Sequence, residues 1–185
     1  MRLVKDGRLV PDRYVAVLDD APLPDDAAVI VPAARLLADV TELATREQPL
    51  GVIWPNDRAV TELAPHLHRL ALVALAFPTF RDGRAYSQAR LLRERYGFRG
   101  ELRATGQVLR DQFLFLLRAG FDAFEVKKDR DVPAFVEAVE RYSVFYQPTQ
   151  DGRATALQSR LVRQRAAEAL PQLHAARRTS SVSAR

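Results

Sequence analysis

Asp82, Gly83, Arg84, Tyr86, Ser87 and Arg90 crowd one short turn of this chain, between an apolar run, Leu70 to Phe77, and an amphipathic helical pattern. A strand that ends in a Gly-containing turn and opens a helix is where α/β proteins place ligands. A helix start offers free N–H groups and a positive dipole end, so an anion is the chemistry such a turn suits. Gly83 lets the backbone come close to a ligand. Arg84, Ser87 and, from the next strand, Arg103 are placed to add hydrogen bonds. A bland reading stands beside this one. In it Asp82 caps the helix, Gly83 serves the turn, and the arginines pair with Glu94, Glu101 or Asp111. The turn is neither a Walker loop nor the three-glycine dinucleotide fingerprint.

Other chemistry is thinner. Asp111 and Glu125 make a general acid–base pair only if the fold brings them together. His66, His68 and His174 lack partners at metal-ligand spacing, so no metal site is expected. No nucleophile elbow is present. The chain has no cysteine, which removes disulfides, thiolate nucleophiles and thiolate-held metals. Trp54, at a strand end, reads as packing. No cofactor can be named from these residues.

The elements that position the turn follow from periodicity. Arg2 to Val10 reads as a hairpin about Asp6-Gly7, a pair suited to a type I′ turn. Tyr14 to Leu18 adds a short strand. From residue 28 a strand–helix rhythm begins, with strands expected from about 28, 51, 70, 101 and 122. Helices are expected over Ala33 to Arg46, after Asp57, after Asp82, over Gln107 to Ala119 and after Asp131. The first carries a stripe of Leu36, Leu37, Val40, Leu43 and Ala44. The last turns Val132, Phe135, Val136 and Val139 inward. Such alternation implies βαβ units. Five units suit an open parallel sheet, doubly wound, or a partial barrel. Parallel strands point their carboxyl ends to one face. That face collects the Thr79 to Ser87 turn, Thr105-Gly106-Gln107, Arg110 to Gln112 and Glu125.

A single α/β domain is expected over 1–146, with the hairpin at 2–10 and the βα units over 28–146. A basic tail, 147–185, is helical and then disordered. The charge supports this division. From Gln147 onward seven Arg face two acidic residues, while the preceding residues hold 21 basic and 21 acidic groups. A neutral body with a basic end argues against a nucleic-acid-binding domain. No apolar run is long enough to span a bilayer, so a cytoplasmic protein is expected. Phe113-Leu114-Phe115-Leu116-Leu117 covers almost every side of a helix. Either that helix is wholly buried, or Phe113, Phe115, Leu116 and Leu117 meet a second copy or another partner.

Three runs carry a resemblance. They are Asp82-Gly83-Arg84-Ala85-Tyr86-Ser87 with Ala89 to Phe98, then Gly100 to Ala104, then Val108-Leu109-Arg110-Asp111-Gln112 with Gly120 to Phe124. They resemble the bacterial family called domain of unknown function 934, over roughly Met1 to Pro148. The resemblance implies a role beside assimilatory sulfite reductase in sulfur metabolism. Carried over by position, it points to Asp82, Gly83, Arg84, Tyr86, Ser87, Arg103, Asp111 and Gln112. The chain departs from the family pattern at Ala85, Gln107 and Ala119, where glycine, an acidic residue and cysteine are usual. The expectation is an accessory protein of sulfite reduction that binds an oxyanion or a partner such as sulfite reductase. The alternative is an oxidoreductase-like enzyme using a phosphate-bearing cofactor in the same crevice.

Overall fold

Asp6 and Gly7 make the first turn of the chain. Both adopt left-handed φ, +51° and +72°, as a type I′ turn requires. They join β1 (Arg2–Lys5) to β2 (Arg8–Val10). The computed structural model describes residues 2–18, 21–127, 131–142, 144–149 and 152–165. It divides into two units, Met1–Arg141 and Tyr142–Arg185.

The first unit holds one eight-stranded sheet in the order β2-β1-β8-β7-β6-β5-β4-β3. Its remaining strands are β3 (Tyr14–Ala16), β4 (Ala28–Pro32), β5 (Leu50–Trp54), β6 (Leu70–Phe77), β7 (Glu101–Gly106) and β8 (Ala123–Val126). β3 through β8 pair in parallel, and the hairpin adds antiparallel to β8. Because the parallel strands follow one another in chain order, right-handed crossovers put their helices on one face. The result is an open, curled sheet, a half-barrel, and not a doubly wound one. Its two edge strands, β2 and β3, are joined by only Pro11, Asp12 and Arg13. Four residue steps reach at most about 14 Å, so the sheet must curl to bring its edges near each other.

The helix-side face carries the main core, including Val31, Val52, Trp54, Val73, Leu75, Leu102, Ala104 and Phe124. The inner face has a smaller apolar cluster of Ile30, Leu72 and Ala74, packed with Tyr14 and Ile53. β6 is therefore buried on both faces, as its continuous apolar run predicts.

Several expected helices are shorter than their sequence patterns. Ala33 to Arg46 is broken into α1 (Ala33–Ala38) and α2 (Val40–Ala44) at Asp39. Arg35 is buried there, donates to the carbonyls of Leu18 and Ala21, and pairs with Asp39. Leu36 and Leu43 are buried, but Val40 and Ala44 of the expected stripe are exposed. After Asp57 the chain makes 3₁₀ turns at Val60–Glu62 and Ala64–Arg69, and Asp57 caps neither. Pro65 sits at the start of the second, where its missing N–H costs nothing.

α3 (Arg84–Arg90) runs on into a π-helical turn over Leu91–Arg95 and stops at Gly97, whose φ is +62°. Gln107 to Ala119 is helical only from a 3₁₀ turn at Arg110–Gln112, then α4 (Phe113–Ala119). α5 (Asp131–Glu140) buries Phe135 and leaves Val136 exposed. Capping by the Asp131 side chain lies outside the described residues. In the second unit Thr155 and Gln158 exchange the hydrogen bonds of a capping box, and residues 156–165 are helical. The disorder expected toward residue 185 lies outside the described residues.

Candidate functional site

The turn after β6 closes with the Asp82 N–H donating to the Thr79 carbonyl. Asp82 then accepts the Arg84 backbone N–H at 3.2 Å and its guanidinium at 3.0 and 2.6 Å. The hydrogen bond from Arg84 holds the Asp82 carboxyl well below the usual carboxylate range. The bland reading gives the arginines structural ion pairs with Glu94, Glu101 or Asp111, whereas the partner of Arg84 is Asp82. Arg84 is 57% exposed, and Ser87 is exposed beside it. Gly83 has φ −84°, and a Cβ there would meet only the Tyr86 ring, at 3.9 Å. Its backbone does not require glycine. Tyr86 is half-buried, edge-on to Phe77 at 5.4 Å. Burial, with the Asp111 carboxylate nearby, pushes its phenol up to about 12 against a hydrogen bond with Gln112.

Gln112 ties this turn to the one after β7. Its side chain accepts the Leu109 N–H at 3.0 Å and donates to the Phe80 carbonyl at 3.1 Å. Gly106 makes the close approach possible. Its φ is +92°, and a Cβ would lie 2.5 Å from the Phe77 carbonyl oxygen. The Gln107 N–H donates to that same oxygen at 2.8 Å. Phe80 and Leu109 stay 45% and 40% exposed, with Arg81 stacked over Phe80 and Arg110 exposed nearby. Phe113 and Leu116 point into the core and Leu117 is partly buried, which leaves Phe115 as the exposed member of the Phe113 to Leu117 run.

Arg103 does not join this face. It lies mid-strand in β7, 1% exposed, on the inner face of the sheet. Its guanidinium forks onto Asp12 at 2.7 and 3.1 Å and reaches Glu101 at 3.0 Å, with Glu125 at 3.7 Å. Burial opposes its charge, but Asp12 and Glu101 outweigh that and raise its pKa. Burial also opposes the Asp12 carboxylate, and the Arg103 hydrogen bonds outweigh it and lower its pKa. Glu125 accepts the Thr105 hydroxyl. The two expected acid–base groups therefore have different settings, Glu125 inside the curl and Asp111 beside Tyr86.

The inner cluster also holds Lys5, which pairs with Glu101 at 3.1 Å, and Tyr14, whose ring lies 5.7 Å from the Arg103 guanidinium. Lys5, Asp12, Arg13 and Tyr14 were not among the residues that sequence reasoning singled out. A signal existed in the alternation Glu101-Leu102-Arg103-Ala104-Thr105, which sets a polar residue at every second position of a strand between buried neighbours. Among the described residues no group of three or more His, Cys, Asp or Glu could hold a metal, and no helix is long and apolar enough to cross a membrane.

An α/β half-barrel with one polar cluster inside its curl and a loop face at its strand carboxyl ends is the class of protein the structure defines. A family profile described as "Bacterial protein of unknown function (DUF934)" matches residues 51–157, and the chain belongs to that family. Searches of curated proteins and of solved structures found no match.

Proposed function

We propose that this chain is an accessory protein of assimilatory sulfite reduction, and that it acts by docking a partner, with sulfite reductase as the first candidate. The pathway rests on the family resemblance. The mode of action rests on one observation: Gln112 fixes the turns that carry Phe80 and Leu109 while leaving both apolar side chains in water. Fixed apolar groups with a basic rim, here Arg81 and Arg110, suit a protein interface. Oxyanion binding at the same turn has less support, because an oxyanion would have to displace Asp82 from Arg84. The same pairing weighs against a phosphate-bearing cofactor and the enzyme reading. Phe115 offers a second copy of the chain an apolar contact.

The test is biolayer interferometry with purified assimilatory sulfite reductase. The wild-type chain is expected to bind, and a Phe80→Ser/Leu109→Ser double variant to bind at least about tenfold more weakly. Equal binding by that variant would move the interface elsewhere. The reading fails if the wild type does not bind and a deletion strain grows normally on sulfate.

A further inference from the structure

The inner face opens into a cavity of about 410 Å³ lined by Leu3, Lys5, Val10, Pro11, Arg13, Tyr14, Glu101 and Arg103. That volume is in the range of small-molecule sites. Glu101 and Tyr14 are the first residues of their strands, whereas Phe80 and Leu109 follow strand carboxyl ends.

The polar groups of the lining divide into spent and unspent. Both oxygens of Glu101 are taken, one by Arg103 and the other by Lys5. Arg103 is taken by Asp12 and Glu101. The unspent capacity is mostly donor. Among the described residues, the Arg13 guanidinium and the Tyr14 hydroxyl have no hydrogen-bond partner, and Lys5 uses one N–H of its ammonium on Glu101. Burial, with Glu101 and Asp12 nearby, raises the Tyr14 pKa, so its O–H stays a donor at neutral pH. By number Lys5, Arg13 and Arg103 balance Asp12, Glu101 and Glu125, but Arg13 is the cation that pairs with none of these carboxylates. The opposite wall is apolar, from Leu3, Val10 and Pro11.

We infer that this cavity binds a small monocarboxylic acid, its carboxylate on Arg13 and the Tyr14 hydroxyl and its apolar body against Leu3, Val10 and Pro11. Excess donors call for an acceptor, an arginine with no carboxylate partner calls for a negative charge, and the apolar wall favours a carbon chain over a bare oxyanion. The Arg103 salt bridge forms the floor and positions Tyr14 through its guanidinium. The site is independent of the proposed partner face, and neither requires the other.

Calorimetric titration of the full chain with acetate, butyrate, hexanoate and sulfate tests this. Affinity is expected to rise from acetate to hexanoate, with sulfate weakest. Arg13→Gln, at an exposed residue with no structural partner to lose, is expected to weaken hexanoate by about tenfold, the worth of a charge-assisted hydrogen bond. Tyr14→Phe keeps the ring and is expected to cost severalfold. Arg84→Gln is expected to leave hexanoate binding unchanged. The inference is overturned if no acid binds saturably, if sulfate binds as tightly as hexanoate, or if Arg13→Gln binds like the wild type.

Discussion

Replacing Arg103 by Met keeps most of the side-chain volume and removes the charge at the centre of the inner cluster. Asp12, Glu101 and Glu125 then face one another, and of the three only Glu101 keeps an ion pair, with Lys5. Removing one partner of a buried ion pair costs about 3–5 kcal/mol, because the other is left uncompensated. Asp12 is 38% exposed and can turn to water, which sets the cost near the lower end, about 3 kcal/mol. With a urea m-value of about 2 kcal/mol/M, the midpoint should fall by about 1.5 M. Asp12→Asn should cost less, about 1 kcal/mol, because Glu101 still holds Arg103. Trp54, the sole tryptophan and wholly buried, reports unfolding of this unit by fluorescence. The pH dependence supplies a sign. The folded Asp12 pKa lies below its unfolded value, so its contribution is whole above about pH 4 and is lost as pH falls through the folded value. The gap between wild type and Asp12→Asn should therefore close in acid. A midpoint change under about 0.5 M for Arg103→Met would refute the reasoning, as would a gap that stays constant from about pH 6 to 3.

Two glycines should respond in opposite directions. Gly106→Ala forces a Cβ against the Phe77 carbonyl at a φ that L-residues avoid, and should cost more than about 1 kcal/mol in the same urea curves. Gly83→Ala meets open space at an ordinary φ, and should be neutral or stabilising by up to about 1 kcal/mol. Tyr86 should ionise near 12, so the ultraviolet difference titration between wild type and Tyr86→Phe should lack a step near 10. Its raised pKa means that its contribution to stability is whole below about pH 10 and is lost as pH rises through the folded value.

What could be read from the chain was what local pattern determines. The Asp6-Gly7 turn and the strand rhythm from residue 28 depend on residues a few positions apart. The Ala33 to Arg46 pattern carries no Gly or Pro at the Asp39 break, and its Arg35 reaches carbonyls of another segment, Leu18 and Ala21. An arginine inside an otherwise apolar stripe was the local sign that something must receive it. The Asp82 to Ser87 turn was correctly placed at a strand carboxyl end, but the pairing of Arg84 with Asp82 is a choice between partners that sequence leaves open. The link between Asp12 and Arg103 spans 91 positions, and nothing local announces it.

That long-range link bears on why the sheet curls as it does. β2 and β3 have three residues each and form the two edges of the sheet, and edge strands this short bring few ladder bonds of their own. Their connector is irregular, and Asp12 is its one carboxylate. It accepts the Tyr14 backbone N–H at 3.1 Å and the Arg103 fork from the middle of the sheet. One side chain thus fixes the start of β3 and anchors the connector to β7. If this tie holds the edges in place, Asp12→Asn should speed amide hydrogen exchange in β2 and β3 well before it affects β6, whose pairs lie between β5 and β7. Uniform acceleration through all strands would mean that Asp12 serves only global stability and that the curl is held by the sheet itself.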